Sequence, residues 1–322
     1  MDLSFGGFGV EIGRVACVGV GTIGHGWATL FAMKGLEVNL YDVEPSKLEW
    51  ALHRIEANLE FLASRDYIER GMVSRALGKL KSFESLEEAV RDVEYIQESA
   101  YESYSVKRGL FRRIDGVAPR SAIIATSSSG LLMSEIQKAT SNPDRCIVVH
   151  PWNPPHLIPL VELVPGDMTS EETVKRAYSF MERLGKVPVV LRKEVPGYIG
   201  NRLQVAVWRE ALDLVDRGVA SLEDVEKALY AGPGIRWAFM GSNLTLHLGG
   251  GEGGLKYLIE HLGGKYSEYW RDMAKWTSIP DSAAEKAVEG IKEMELVKSK
   301  SFQELIEWRD EKLIALLKLL YK

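Results

Sequence analysis

The chain has 322 residues, 46% hydrophobic and 26% charged, with a net charge of -5. That length favours two domains with buried cores, and the mild acidity argues against a general nucleic-acid binder, so no nucleic-acid partner is expected. Two cysteines, Cys17 and Cys146, lie in or beside apolar runs and offer neither a disulfide framework nor metal-ligand spacing, so no metal is expected and a reducing, cytoplasmic setting is. The opening "MDLSFGGFGVEIG" lacks a charged leader, and no apolar run of about 18 residues occurs, so neither a signal peptide nor a membrane partner is expected.

From residue 14 to about 165, short β-branched runs alternate with helix-periodic segments, the pattern of βαβ units and a parallel sheet. The expected strands are "RVACVGV", "EVNLYD", "VEYIQES", "SAIIATS" and "RCIVVH". Between the second and third lies "SKLEWALHRIEANLEFLASRDYIERG", one or two amphipathic helices expected to project from the sheet. Ser85, followed three residues later by Glu88, has a capping-box pattern that predicts a helix start. A further helix, "SEETVKRAYSFMERLG", and a strand, "KVPVVLR", precede a change of composition at Pro196 and Gly197. Beyond it the chain reads as helices broken by glycine, with a Gly-rich hinge near "HLGGGEGG". The expected fold is α/β: a Rossmann-type, doubly wound, mostly parallel sheet over residues 1–194, then an all-α domain over 195–322.

Gly19, Gly21 and Gly24 stand in G-x-G-x-x-G order after the first strand, with Thr22 and Ile23 between the last two. Such glycines serve a tight turn, backbone approach to a pyrophosphate, and helix-on-strand packing, and the helix N-terminus favours the anion. Asp42 closes the second strand about 20 residues on, where a carboxylate hydrogen-bonds the adenosine ribose. It would repel a 2'-phosphate, and "VEP" after it supplies no arginine, so NAD is expected over NADP. FAD shares the fingerprint, but no second nucleotide-binding segment is visible.

Alcohol oxidation needs a base for the hydroxyl proton, and histidine titrates in the useful range. Of six histidines, His25 sits in the glycine turn, His53 on a helix, and His247 and His261 in the helical region; His156 and His150 share a proline-rich stretch. His150 stands out because it ends a parallel strand, and ligands of open α/β sheets bind beyond the carboxyl ends of strands. "PWNPP" then stiffens the backbone after it, since each proline fixes its φ. Glu162 falls in the next apolar run, where an imidazole partner would offset the cost of burying a carboxylate; a solvent-facing position on an edge strand is the other reading. Ser127, Ser128 and Ser129 in "TSSSG" end the preceding strand and can either bond a substrate oxygen or cap the next helix.

The glycine turn, the hydroxyl turn, the His…Glu stretch and "PGYIGNR" together resemble the 3-hydroxyacyl-CoA dehydrogenase superfamily, over nearly the whole chain. "HPWNPPHLIPLVELVPG" and "GIRWAFMG" look most like its L-gulonate 3-dehydrogenase and lambda-crystallin branch, with carnitine dehydrogenase nearby. The resemblance implies an NAD-dependent oxidoreductase of a 3-hydroxy acid or 3-hydroxyacyl-CoA, with a helical second domain that forms a homodimer. It implies His150 as general base, Glu162 as its orienting carboxylate, Ser129 and Asn201 as substrate contacts, and Glu102 and Lys107 near the nicotinamide; a plain surface pair is the alternative for the last two. Where the acyl-CoA members have Asn-Thr-Ser-Ser, this chain has three serines and Gly130, which leaves the choice among the serines open. Arg236, between a Pro-Gly turn and aromatic residues, can clamp a substrate carboxylate or simply sit on a solvated turn or against Trp237. No basic cluster marks a groove for CoA, so a free acid is favoured, and a catalytically silent NAD-binding protein is the non-enzyme alternative.

Overall fold

The computed structural model describes residues 12–321; residues 1–11, which carry most of the stretch read above for a leader, lie outside the described residues. The chain divides into two compact units, Met1–Asn201 and Arg202–Lys322.

The first unit holds β1 (Arg14–Val18), α1 (Thr22–Met33), β2 (Glu37–Tyr41), α2 (Pro45–Ser64), α3 (Arg70–Leu77), β3 (Leu80–Phe83), α4 (Leu86–Val90), β4 (Tyr95–Glu98), α5 (Tyr104–Asp115), β5 (Ile123–Thr126), α6 (Met133–Ile136), β6 (Cys146–Pro151), β7 (Leu160–Pro165), α7 (Glu171–Arg183) and β8 (Val187–Val190). The eight strands form one sheet in the order β3-β2-β1-β4-β5-β6-β7-β8. Every neighbouring pair is parallel except β6 and β7, which run antiparallel. This is the doubly wound, mostly parallel sheet that the alternating pattern predicts.

The central strands are apolar because both faces are covered. On one face, Ile96, Ile124 and Val148 pack with Phe111 and Ile114 of α5; on the other, Trp27, Phe31, Tyr95 and Phe180 form an aromatic cluster. Each fully buried side chain of this size contributes about 1.5–3 kcal/mol. The long charged segment forms α2 and α3 as expected, but α2 does not stand clear of the fold: Leu48, Ala51, Ile55, Leu59 and Leu62 are buried along one face. Ser85 caps α4 by accepting a hydrogen bond from Glu88 N. The sequence gives little sign of β3, because an edge strand needs few apolar residues and Lys81 and Ser82 face solvent.

The second unit contains the end of α8 (Gly200–Asp216) and α9 (Leu222–Ala231), α10 (Pro233–Trp237), α11 (Ser242–Gly249), α12 (Gly254–Asp272), α13 (Asp281–Glu293), α14 (Glu295–Lys298) and α15 (Phe302–Tyr321). No strand occurs among its described residues, in accord with the all-α expectation. The Gly-rich stretch is a tight α11–α12 turn: Gly254 has φ +62°, and a Cβ there would meet the His247 ring at 2.5 Å. No described helix is long and apolar enough to cross a membrane.

Candidate active site

The strand order reverses between β2-β1 and β1-β4, which opens a crevice beyond the carboxyl ends of β1 and β4. The glycine turn lies there. Gly19 has φ +85°, and a Cβ on it would sit 2.8 Å from Ala100 N, so only glycine lets the β1–α1 turn rest on the turn after β4. A Cβ on Gly24 would lie 1.9 Å from the Gly19 carbonyl oxygen, whereas one on Gly21 would meet nothing within 4 Å. Open space therefore lies over Gly21 at the uncapped N-terminus of α1, where the N–H groups of Thr22, Ile23 and Gly24 lack intrahelical partners. Asp42 holds the turn from the side, accepting from Val20 N at 2.9 Å and Glu44 N at 3.1 Å. This cradle suits a pyrophosphate with a ribose hydroxyl at Asp42, which is the fit NAD requires.

His150 and Glu162 face each other directly across the antiparallel β6–β7 pair. His150 Nδ1 lies 2.9 Å from Glu162 Oε2, with both side chains buried. The carboxylate can only accept, so Nδ1 carries the proton and Nε2 keeps a free lone pair. Glu162 is interior because β8 covers the far side of β7, which removes the edge-strand reading. Its second oxygen accepts from Ile199 N at 2.8 Å and Gly200 N at 3.0 Å, at the start of α8. Gly197 and Tyr198 both adopt positive φ to aim those N–H groups, and the Tyr198 ring packs edge-on against His150 at 5.3 Å. Burial alone would raise the Glu162 carboxyl, but the hydrogen bonds from His150, Gly200 and Ile199 outweigh it and hold it below its usual 4.5.

That depression has a sign. A carboxylate with a lowered folded pKa contributes stability that is fully present above the unfolded value and lost as pH falls through the folded value. Glu162→Gln should therefore cost about 1–3 kcal/mol at neutral pH, and its Tm deficit against the wild type should shrink below about pH 4.5. Melting curves from neutral to acid pH check this.

The serine turn is sorted by its hydrogen bonds. Ser127 Oγ accepts from Trp27 Nε1 at 3.1 Å and Gln97 Nε2 at 2.8 Å, which leaves its own proton to donate to Ser99 Oγ at 2.8 Å and uses its full capacity. Ser128 Oγ donates to Glu102 at 2.6 Å and accepts from Leu131 N at 3.0 Å. Ser129 is exposed; its N–H donates to Glu102, its carbonyl accepts from Asn201 Nδ2 at 3.2 Å, and its hydroxyl has no partner among the described residues. Asn201 and Ser129 are thus brought together.

Glu102 and Lys107 are no plain surface pair. Lys107 is 1% exposed and its ammonium lies 2.9 Å from both oxygens of Glu98, at the end of β4, and 3.4 Å from Glu102. Thr126 Oγ1 and Ala100 N complete the Glu98 shell at 2.5 and 2.6 Å. Sequence reading missed Glu98, the Ile199 and Gly200 N–H groups, and the Gln97–Trp27–Ser127 network. The positive-φ signal of "PG" is the one trace they leave.

The remaining histidines have other settings. His25 Nδ1 bonds Gly21 O, His53 is exposed on α2, His156 is buried, His247 Nδ1 accepts from Leu255 N, and His261 Nδ1 meets Tyr257 O. Arg236 lies exposed on α10 in the second unit. Both cysteines are free and buried, and burial pushes the Cys146 thiol up to about 12. Among the described residues no His, Cys, Asp and Glu cluster is placed to hold a metal ion.

The glycine cradle and the buried His–Glu pair are arranged as a nicotinamide-dependent dehydrogenase would require. The sequence model of the 3-hydroxyacyl-CoA dehydrogenase NAD binding domain matches residues 14–195, and that of the family's C-terminal domain matches 197–290. The chain belongs to the 3-hydroxyacyl-CoA dehydrogenase family and is an NAD-dependent oxidoreductase of CH–OH groups. It is 41% identical to an L-carnitine dehydrogenase of Streptomyces coelicolor over 82% of each chain, and 39% identical to one of Bacillus cereus over 97% of this chain and 94% of that one. Among solved structures it is similar to a 5-formyl-3-hydroxy-2-methylpyridine 4-carboxylic acid 5-dehydrogenase, with TM-score 0.82 and 29% identity over 96% of this chain and 99% of that one. It is also similar to the (S)-3-hydroxybutyryl-CoA dehydrogenase of Ralstonia eutropha, with TM-score 0.65 and 27% identity over 81% and 89%. These relatives lend no support to the L-gulonate branch suggested by the sequence.

Proposed function

We propose that this enzyme oxidises the 3-hydroxyl of a small free 3-hydroxy acid of the L-carnitine type to the 3-oxo acid. The single observation that carries the substrate class is the 37–41% identity to L-carnitine dehydrogenases over most of the chain. The geometry that supports the reaction is the buried His150–Glu162 pair at the mouth of the sheet.

In this reading the hydroxyl proton passes to His150 Nε2 as the C3–H bond breaks and the carbonyl forms. NAD, when bound, accepts the hydride. Glu162 holds the imidazole by Nδ1, fixes its tautomer and stabilises the imidazolium, while its own charge is held by the Ile199 and Gly200 N–H groups. Ser129 Oγ and Asn201 Nδ2 orient the substrate oxygens, and Glu102 keeps the serine turn in place. Lys107, with Glu98, supports the nicotinamide side from beneath rather than at the surface.

L-Carnitine has a carboxylate at one end and a quaternary ammonium at the other. Arg236, exposed on α10, is a guanidinium of the kind that pairs with a carboxylate, and Trp237 and Phe239, 42% and 60% exposed, belong to the class of side chain that attracts a quaternary ammonium. The same unit exposes the large apolar side chains Leu203, Trp270, Phe302 and Leu319, which supports assembly with a second copy of the chain. The test is initial-rate NADH formation with L-carnitine, L-gulonate and 3-hydroxybutyryl-CoA side by side, with NAD and with NADP. Saturation by the thioester alone would overturn the free-acid reading.

A further inference from the structure

The stretch between His150 and Glu162 contains Pro151, Pro154, Pro155 and Pro159, none of which has an N–H to give. The stretch turns on itself through Leu157 and Ile158, whose N–H groups both reach Pro154 O at 3.0 Å. That leaves the Pro155 and Ile158 carbonyls in need of donors, since buried backbone carbonyls are rarely left unpaired. A single side chain from another element meets both: Lys186 Nζ lies 2.5 Å from Pro155 O and 2.6 Å from Ile158 O.

Lys186 is firmly based. It follows the α7 terminus, where Gly185 turns with φ +81° and Lys186 N donates to Met181 O at 3.0 Å; Val187 N then pairs with Pro159 O at 2.9 Å. Its side chain is buried, and its ammonium stands 5.3 Å from the centre of the Trp27 ring on the cofactor helix α1. Trp27 in turn donates to Ser127 in the serine turn. One residue from Trp27, α1 and the proline stretch approach closely: a Cβ on Gly26 would fall 2.7 Å from Pro155 Cδ. Among the described residues no carboxylate pairs with Lys186, so ion pairing does not account for burying it. Burying an ammonium is costly, and an apolar side chain of the same length would serve packing better. Its two hydrogen bonds are what the site gains.

We propose that Lys186 is a positioning residue: by chelating the Pro155 and Ile158 carbonyls over Trp27, it sets the distance between the loop that follows His150 and the cofactor helix. In the proposed reaction the hydride acceptor would be held at α1, and the proton acceptor, His150, ends the strand that leads into this loop, so the spacing of loop and helix governs the alignment of the two acceptors on the substrate. The proposal rests on the reading of His150 as base. Burial and neighbouring Lys34 draw the Lys186 pKa down to about 7, yet the neutral amine keeps two N–H donors, so the clamp persists on either side of neutrality.

The test is Lys186→Met in the full chain, assayed well below the variant's own Tm with whichever acid of the substrate panel supports turnover. A misplacement on the order of 1 Å should lower kcat by about 10- to 100-fold. The deuterium isotope effect on kcat with 3-deuterated substrate should rise, and the NAD dissociation constant should stay within about twofold. A lower Tm with kcat and isotope effect unchanged would overturn the proposal and leave Lys186 a stability residue. Should K186M fail to fold, K186Q, whose amide sits one bond closer to the backbone and cannot span both carbonyls as Nζ does, takes the same measurements with the same deciding outcomes. Full activity of His150→Gln would instead defeat the base assignment itself, a result independent of any Lys186 variant.

Discussion

Replacing His150 with glutamine should lower kcat by about 10²–10⁴-fold while NAD binds as before. The side chain is buried in β6 and touches Glu162 and the Tyr198 ring, none of which belongs to the dinucleotide cradle. Glutamine can still donate one hydrogen bond to Glu162, so the carboxylate is not abandoned and the fold should persist. What disappears is the basic Nε2 lone pair. The loss should therefore fall on kcat and kcat/KM together, as expected for an interaction made in the transition state, with little change in the NAD dissociation constant. Steady-state kinetics and a fluorescence titration of NAD on the same preparation check both halves.

Gly24→Ala and Gly21→Ala should part company in a way that separates folding from cofactor binding. The new Cβ at Gly24 falls 1.9 Å from one backbone atom of Gly19 and 2.9 Å from another, so α1 and the β1 turn must move apart. Overpacking of this kind costs about 1–3 kcal/mol or more, and it displaces the N–H groups proposed to hold the pyrophosphate, so both Tm and NAD affinity should fall sharply. Gly21 has φ -64° and open space where its Cβ would go, so Gly21→Ala should melt near the wild-type temperature. Its methyl occupies the place of the ligand instead, and NAD affinity should drop by about tenfold or more, given about 1.4 kcal/mol per decade. Differential scanning fluorimetry with and without NAD reads both variants.

The parts of the fold legible in the sequence are those written in local pattern. The β1 run, the glycine turn, the amphipathic α1 and Asp42 follow one another within a single βαβ half, and each leaves its own periodic or compositional mark. His150 was legible for the same reason, as the end of an apolar strand stiffened by prolines. Glu162 was half legible: its apolar setting suggested a partner, but only the antiparallel turn of β6 into β7 puts the two side chains opposite each other. The groups that complete the site come from far along the chain. Ile199 and Gly200 reach Glu162 through their backbone, which no side-chain pattern announces. For Lys107 the resemblance pointed to the nicotinamide side while a surface position stayed open, because nothing local reveals that its ammonium is buried against both oxygens of Glu98. The three serines were indistinguishable in sequence, and their separation into two anchored hydroxyls and one free one depends on Trp27 of α1, Gln97 of β4 and Glu102 in the turn before α5, each distant along the chain.

The central claim is that the His150–Glu162 pair serves NAD-linked oxidation of a free 3-hydroxy acid of carnitine type. The most direct measurement is kcat/KM for NADH formation with L-carnitine, set against 3-hydroxybutyryl-CoA and L-gulonate under one set of conditions, for the wild type and His150→Gln. The account predicts saturable turnover of L-carnitine well above the other two, and its loss in the variant. Preference for the thioester, or undiminished turnover by His150→Gln, would contradict it.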